Sequence, residues 1–337
     1  MTDSRTVQDS KQPLVYVCVL NWNRHEETLG CIRHLAGQQY SNARIVVVDN
    51  GSSPDSVAAL QSSGLPFDLI LNPGNMGYTG GCNIGIRHAL KHGADYVWLV
   101  NSDVVVEADT LTRLIRDAED HPAAGLLSPV IYYNSQPRQI QNCGMQVDVK
   151  NFVYDHPKDI NAAIQSMRTA PRQFCLGGTA LLVRRAVIER IGLLDERFFA
   201  YVEDVDYCVR ANGAGFEGRL VPEAGILHGA PEVGRPTPVP SPLRDFYMTR
   251  NQILFWAKHA TGLNRLRYVY WRTRSSLRYA GSGTVDPAAA ELVLDGIWCG
   301  LMRRTGAWSH DDRRLKAPAL VRRILRFGSH RLVNRRA

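Results

Sequence analysis

Short apolar runs alternate with polar stops along the first 120 residues. LVYVCVL (Leu14 to Leu20) and RIVVVD (Arg44 to Asp49) are rich in β-branched residues. Such runs suit strands buried on both faces of a parallel sheet. The stretch between them, about Glu26 to Gln38, has helical composition. FDLIL (Phe67 to Leu71) and YVWLV (Tyr96 to Val100) predict two more strands. CNIGIRHALKHG (Cys82 to Gly93) predicts a helix closed by a glycine, and Asp109 to Asp120 predicts another. Strand and helix in alternation indicate an α/β domain with a mostly parallel sheet.

The second half is less regular. From Ser135 onward, and through Lys150 to Ala170, the pattern predicts loops or short strands. CLGGTALLVRRAVIERIG (Cys175 to Gly192) resumes as a strand and then a helix. FFAYVEDVDYCVRANGAGF (Phe198 to Phe216) reads as an aromatic loop, an acidic helix start and a Gly-rich helix end. His228 follows a short apolar run, PEVGRPTPVPSP (Pro231 to Pro242) is a loop, and Arg244 to Ala260 is an amphipathic helix.

Three of the early strands end in Asn and Asp: NWN (Asn21 to Asn23), DNGSS (Asp49 to Ser53) and NSD (Asn101 to Asp103). In open α/β sheets, ligands bind outside the carboxyl ends of the strands. The three stops therefore point to one crevice. An Asp in such a place also serves as a helix N-cap, and acids such as Glu203, Asp204 and Asp206 also complement a helix dipole.

Charge narrows the picture. The net charge of +8 resides in residues 303 to 337, with eleven Lys or Arg and only Asp311 and Asp312 as acids. The rest of the chain is nearly neutral, which argues against a basic nucleic-acid-binding core. Seven scattered cysteines with no CxxC spacing argue against a zinc or redox motif and fit reduced thiols. The polar N-terminus lacks a signal-peptide core, and no apolar run of membrane-spanning length occurs. A cytoplasmic protein is expected, with residues 1 to 12 disordered.

Sugar transfer from a nucleotide donor makes three chemical demands. A diphosphate leaving group must be neutralised, an acceptor hydroxyl deprotonated, and the nucleoside held. Asp103 is a hard oxygen ligand suited to Mg or Mn, and His228 is a candidate second ligand. Asp204 is a carboxylate of the right type for the base, and Asp49 and Asn21 can hold the nucleoside.

VCVLNWNR, VVDNGSSPDS, NPGNMGYTGGCNIGIRHALKHGADYVWLVNSDVVV, GGTALLVRRAVIERIGLLDERFFAYVEDVDYCVR and DFYMTRNQILF occur in that order. Together these blocks resemble glycosyltransferase family 2, and within it the rhamnosyltransferase-like branch that builds bacterial surface polysaccharides and glycoconjugates. The resemblance spans about 240 residues. It implies a GT-A fold over residues 13 to 260: a mostly parallel sheet flanked by helices, with a C-terminal helical extension over 261 to 337. It also implies inversion at the anomeric carbon and dependence on Mn2+ or Mg2+. Asp49 matches the acid that binds the pyrimidine base, with Asn21 in the adjoining motif. Asn72 to Gly81 matches the loop that closes over the nucleotide, and its glycines permit close backbone approach. The implied nucleotide-sugar contacts are Asn21, Asn23, Asp49, Asn50, Asn75, Gly77, Gly80, Asn83, Asn101 and Ser102. NSD matches the metal-binding DxD motif with Asp103 as its last acid, and His228 matches the late metal ligand. Glu203 and Asp204 match the acceptor-side acidic pair, with Asp204 the base.

One position departs from the pattern. Asn101 replaces the first acid of the DxD motif, keeping an oxygen acceptor but losing a charge. The implied donor is dTDP-L-rhamnose or another dTDP- or UDP-sugar. The implied acceptor is a saccharide, a lipid-linked saccharide or a glycoconjugate. Two other readings fit less well. A sugar-nucleotide nucleotidylyltransferase needs a Gly-rich basic loop after its first strand, where this chain has NWNRHEET. A non-catalytic nucleotide-sugar-binding protein would tolerate loss of Asp204. No dinucleotide GxGxxG follows the first strand. In the tail, Leu320, Val321, Ile324, Leu325 and Phe327 lie among arginines. That composition fits a solvated basic end or a segment on an anionic membrane surface, on the inner face of the cell membrane.

Overall fold

The computed structural model describes residues 12–229, 242–309 and 311–334. The disorder expected for residues 1 to 12 and the Pro-rich loop expected at 231 to 242 lie outside the described residues, apart from positions 12 and 242 themselves.

The chain begins β1 (Val15–Asn21), α1 (His25–Ala36), β2 (Ala43–Asp49), α2 (Pro54–Gln61), β3 (Asp68–Leu71), α3 (Gly77–Lys91) and β4 (Tyr96–Val100). A short β5 (Val104–Val106) and α4 (Thr110–Asp120) follow. The middle third holds β6 (Ala124–Tyr133), β7 (Gln136–Asn142), β8 (Met145–Asp148), β9 (Val153–Asp155) and α5 (Ile160–Thr169). Then come β10 (Phe174–Cys175), β11 (Ala180–Arg184), α6 (Arg185–Ile191), α7 (Glu203–Gly213) and β12 (Glu217–His228). Four helices close the chain: α8 (Pro242–His259), α9 (Gly262–Gly281), α10 (Pro287–Leu301) and α11 (Ala319–Asn334).

The main sheet has nine strands in the order β3-β2-β1-β4-β11-β6-β12-β5, with β7 beside β6. Strands β3, β2, β1, β4, β6 and β12 run the same way, while β11, β5 and β7 oppose them. A second, three-stranded sheet is ordered β10-β8-β9. The first strands are buried on both faces. Val15, Val17 and Val19 enter one core with Ile32, Leu35, Leu60 and Leu114 of the helices on that side. Tyr16 and Cys18 enter the other with Ile86, Ala89, Val187 and Val205. This two-sided burial explains why these strands are continuous apolar runs. Trp98 at the centre of β4 is fully buried, and truncating such a side chain to Ala costs about 3–5 kcal/mol. All seven cysteines are buried and unbridged. Among the described residues, no helix is long and apolar enough to cross a membrane.

Two elements differ from the sequence expectation. Helix α3 starts at Gly77, five residues before the expected Cys82, so half of the expected nucleotide loop is helical. Glycine is a poor helix former, but here it permits contact. A Cβ on Gly81 would meet Leu20 at 2.2 Å, and one on Gly77 would meet the Phe199 carbonyl oxygen at 2.4 Å. Packing decides the conformation, and propensity yields. The stretch around 150–170, expected as loops or short strands, contains α5. Asp159 caps it by accepting from the Ala162 N–H at 2.8 Å, and Ala163 and Met167 bury its inner face.

The C-terminal helices are built on α8. Gly296 and Gly300 of α10 lie directly on it: an added Cβ at Gly296 would stand 2.7 Å from the Phe246 carbonyl oxygen. Helix α8 also reaches back to the sheet domain through Arg250 and Asn251, both fully buried.

Candidate active site

The carboxyl ends of β1, β2 and β4 lie side by side, as the parallel register of Asn21 with Asp49 requires. Asn21 and Asp49 are joined directly, the Asn21 amide donating to the Asp49 carboxylate at 2.7 Å. The other Asp49 oxygen accepts the Ser52 N–H at 2.9 Å. Asn23, in the left-handed region at φ 56°, accepts the Ser53 N–H at 2.8 Å. These bonds fix the DNGSS turn against the first strand. Asn21 and Asp49 are both buried, with Trp22 exposed beside them.

Asn50 fastens the next loop. Its amide donates to Asn75 Oδ1 at 3.1 Å and to the Gly77 carbonyl at 3.0 Å. Its own oxygen accepts from Asn72 and from the Met76 N–H. Gly51, at φ 77°, packs so closely that a Cβ there would stand 2.5 Å from the Gly74 Cα. Asn50, Asn75, Gly77 and Gly80 thus shape the entry to α3. Asn83 faces elsewhere. Its amide donates to the Leu194 carbonyl and to Glu196, and its oxygen accepts the Leu194 N–H, all at 3.0 Å. The structure gives it a tethering role, away from the cleft.

Asn101, Ser102 and Asp103 follow β4, and His228 ends β12. The antiparallel pairing of β12 with β5 places His228 opposite Val104, bringing it to Asp103. His228 Nε2 stands 3.2 Å from Asp103 Oδ1 and 3.2 Å from the Asn101 amide nitrogen. Nδ1 on the other side of the ring donates to Gln141 Oε1. Arg24 approaches the second Asp103 oxygen at 3.7 Å. Burial pushes the Asp103 carboxyl up, but His228 and Arg24 outweigh it and hold it below the ordinary carboxylate range. The candidate donor set is one carboxylate oxygen and one imidazole nitrogen, 3.2 Å apart. That suits a divalent ion whose other positions are filled by diphosphate and water oxygens. Among the described residues no cluster of three or more His, Cys, Asp or Glu exists to enclose an ion fully.

Glu203 and Asp204 open α7. The turn before it is unusual, with Phe199, Tyr201 and Val202 all at positive φ. Non-glycine residues adopt that region only when their surroundings impose it. Here the Asn251 amide nitrogen lies 2.8, 2.7 and 2.7 Å from the Phe198, Ala200 and Tyr201 carbonyls. Arg250 adds a bond to the Phe198 carbonyl at 2.8 Å. The Asp204 carboxylate accepts the Gly178 and Val205 N–H groups, both at 2.8 Å. The Gly178 carbonyl in turn accepts the Tyr78 hydroxyl of α3 at 2.9 Å. The two sides of the cleft are therefore mechanically joined. Glu203 Oε2 is buried without a hydrogen-bond partner.

The sequence profile of Glycosyl transferase family 2 matches residues 16–192 of this chain. The chain belongs to glycosyl transferase family 2. Within this family it lies on the rhamnosyltransferase-like branch. The dTDP-rhamnosyl transferase RfbF of Shigella flexneri is 23% identical over 257 residues, 73% of this chain and 80% of that protein. The N-acetylglucosaminyl-diphospho-decaprenol L-rhamnosyltransferase of Mycobacterium tuberculosis is 29% identical over 203 residues. That alignment covers 55% of this chain and 66% of the relative, just under two thirds of its length. Among solved structures, Staphylococcus aureus TarS 1–349 with UDP-GlcNAc superposes with a TM-score of 0.58 at 15% identity, covering 95% of this chain and 90% of that one. The mannosyltransferase PcManGT of Pyrobaculum calidifontis, in complex with GDP-Man and Mn2+, gives 0.54 at 16% identity, covering 96% and 88%. The fold of this family 2 glycosyltransferase is GT-A.

Electrostatics distinguish the two acids that open α7. Burial raises the Glu203 carboxyl well above the ordinary range, and neighbouring Asp204 adds to it. Burial raises Asp204 too, but the Gly178 and Val205 N–H groups oppose the shift. Of the two, Asp204 is better held as an anion. Four participants escaped the sequence reading. Gln141 is a single amide in an otherwise unremarkable segment, and Asn251 is one unmarked position of the DFYMTRNQILF block. Tyr154 and His156 lie in the region whose pattern was least regular. His156 acts on Asp204 as a nearby positive charge, and its ring meets Tyr154 edge-on at 5.7 Å.

Proposed function

We propose that this glycosyltransferase inverts the anomeric centre of a sugar carried by dTDP-L-rhamnose or another dTDP- or UDP-sugar. The acceptor is a hydroxyl of a saccharide, lipid-linked saccharide or glycoconjugate in cell-envelope polysaccharide synthesis. The observation that carries the reading is the Asp103–His228 pair, 3.2 Å apart at the strand ends, linked to Asp204 through adjacent residues: the Thr179 carbonyl accepts the Asn101 N–H and the Gly178 N–H donates to Asp204. The names of the two rhamnosyltransferase relatives support the donor, and the decaprenol-linked substrate named for one of them supports a lipid-linked acceptor.

In this reading, residues 13 to 260 form the catalytic unit and residues 261 to 337 a supporting extension. Asp49 and Asn21 hold the nucleoside end, and the Asn72–Gly77 segment covers it. Asp103 and His228 hold Mn2+ or Mg2+. When bound, the ion neutralises the charge that develops on the leaving diphosphate. Asp204 accepts the proton of the acceptor hydroxyl as its oxygen attacks the anomeric carbon from the face opposite the diphosphate. The bond from that carbon to the diphosphate oxygen breaks, and the nucleoside diphosphate departs. Glu203 orients the acceptor. The protein acts in the cytoplasm and meets the inner face of the membrane through its basic tail.

Nucleotide release, assayed over a panel of dTDP- and UDP-sugars, tests the proposal. Turnover is expected with at least one donor, reversibly abolished by EDTA and absent in Asp103→Ala. Full activity in EDTA contradicts the metal assignment, and no release from any donor contradicts the reaction.

A further inference from the structure

Gly177 and Gly178 lie in the short link from β10 to β11. Glycine is the most permissive residue of the backbone, so two in succession keep one conformation only when their neighbours impose it. Three hydrogen bonds do so here. The Gly178 N–H donates to Asp204 at 2.8 Å, the Gly178 carbonyl accepts the Tyr78 hydroxyl at 2.9 Å, and the Thr179 carbonyl accepts the Asn101 N–H at 2.9 Å. The peptide groups on the two sides of the Gly178 Cα are thus tied to different elements, one to α7 and the other to α3. The approach is close, since a Cβ on Gly178 would stand 3.2 Å from the Asp204 Cβ.

The far end of the Tyr78 tie is the candidate nucleotide loop. Tyr78 follows Gly77, whose carbonyl accepts the amide of Asn50, the neighbour of Asp49. On its other side, the Thr79 N–H donates at 3.1 Å to the Phe199 carbonyl, in the turn that leads into Glu203 and Asp204. Gly77, Tyr78 and Thr79 therefore reach from Asn50 to both segments that hold Asp204. The tie to the glycine pair is one side-chain hydroxyl, which can be removed while the backbone stays intact. The Tyr78 ring packs on the core beside α3, and burial pushes its phenol well above the usual range, so it stays a neutral donor.

We infer that Tyr78 is a positioning residue of the transfer reaction: its hydroxyl passes the ordering of residues 72–77 by a bound nucleotide to the Gly177–Gly178 pair, and so holds the Asp204 carboxylate in place. The inference rests on the glycosyl-transfer reading, which assigns the 72–77 segment to the nucleotide and the base to Asp204.

Hydrogen–deuterium exchange of the full chain, with and without dTDP and Mn2+ and separately with UDP and Mn2+, tests it in wild type and Tyr78→Phe. In wild type, the nucleotide is expected to slow exchange over residues 50–77 and also over 176–180 and 203–206, because local opening free energies respond to a ligand that orders linked segments. Tyr78→Phe is expected to keep the protection of 50–77, and its nucleotide affinity, but to lose most of the protection of 176–180. A tyrosine that only packs would shift exchange equally in the free and bound protein and leave the nucleotide-induced difference whole. With a donor that the wild type turns over, kcat of Tyr78→Phe is expected to fall about threefold to tenfold, the fold-change of one hydrogen bond, at unchanged donor KM. Wild-type protection confined to 50–77, a full nucleotide-induced difference at 176–180 in Tyr78→Phe, or an unchanged kcat overturns the inference. If neither nucleotide protects 50–77 in the wild type, the nucleotide reading falls. The tether is then read in the free protein, where faster exchange at Gly178 and Val205 in Tyr78→Phe supports it and unchanged exchange overturns it.

Discussion

Gln141 accepts a hydrogen bond from His228 Nδ1–H, which leaves the other ring nitrogen, Nε2, facing Asp103. With Nε2 deprotonated, a ring held this way would turn a lone pair toward a divalent ion bound at Asp103. Partners of this kind fix the tautomer and orientation of a metal-binding histidine. Gln141→Leu is expected to weaken Mn2+ binding about 10- to 100-fold with little change in melting temperature. Electron paramagnetic resonance of free Mn2+, titrated with protein and dTDP or UDP, reads the affinity directly. Unchanged affinity would show that Asp103 and Asn101 orient the ring unaided.

Asn251 carries the acceptor-side turn. Its amide faces three carbonyls of a turn with three positive-φ residues, so its loss leaves buried acceptors unsatisfied. Asn251→Ala is expected to cost about 1–3 kcal/mol, measured by chemical denaturation. The turn leads directly into Glu203 and Asp204, so kcat is expected to fall further than nucleotide affinity. A variant that loses stability but keeps kcat would make Asn251 purely structural.

The raised Glu203 carboxyl predicts a pH signature. Its folded-state pKa lies above its unfolded value because burial and Asp204 disfavour the anion. The folded protein therefore binds that proton more tightly, and the associated stability is present in acid and lost as pH rises through the raised value. Glu203→Gln removes this dependence. Its melting temperature relative to wild type is expected to climb as pH rises from acid to mildly alkaline. Asp206 is held low by His259, Lys258 and Arg210 despite its burial, so it stays ionised in both proteins over that range. A difference independent of pH would mean that Glu203 is ionised in the fold.

Much of this site is legible in the sequence because parallel strands must be apolar and their ends must turn. Val15–Asn21, Ala43–Asp49 and Tyr96–Val100 fall within a residue or two of the expected runs, and their polar ends meet as expected. His228 is reached only through tertiary pairing, and family resemblance rather than pattern drew attention to it. Gln141 gave no signal, since one amide in a polar strand looks like any other, and Asn251 lies in the DFYMTRNQILF block with nothing to single it out from its neighbours. Gly77 to Gly81 misled because helix propensity opposes what packing on Leu20 and Phe199 demands.

The basic tail predicts membrane contact. Leu320, Ile324 and Phe327 share one face of α11 and are 69%, 61% and 67% exposed. Leu325 turns inward onto the cluster around Val293 and Ile297, so the helix is docked on one side. Truncation at Gly300 would also remove the buried Leu315 and Ala317, so a surface change is the cleaner test. Leu320→Ser with Ile324→Ser is expected to reduce co-sedimentation with anionic vesicles and leave the fold intact. Each engaged Lys or Arg adds about 1 kcal/mol, and salt is expected to weaken the attraction as screening shortens to about 3 Å at 1 M. Equal binding to neutral vesicles, or no effect of the double substitution, would remove α11 from this role.

The most direct test of the transfer centre is the turnover and nucleotide affinity of Asp204→Asn, measured side by side with wild type on the same donor and acceptor. Asp204 accepts the Gly178 and Val205 N–H groups, and an asparagine oxygen can keep one of those bonds while losing the ability to take a proton. Removing a positioned base typically lowers the rate about 10²–10⁴-fold. The account predicts a kcat loss of that order with nucleotide affinity unchanged. Wild-type turnover in Asp204→Asn, or a larger loss in Glu203→Gln at unaltered acceptor affinity, would contradict it.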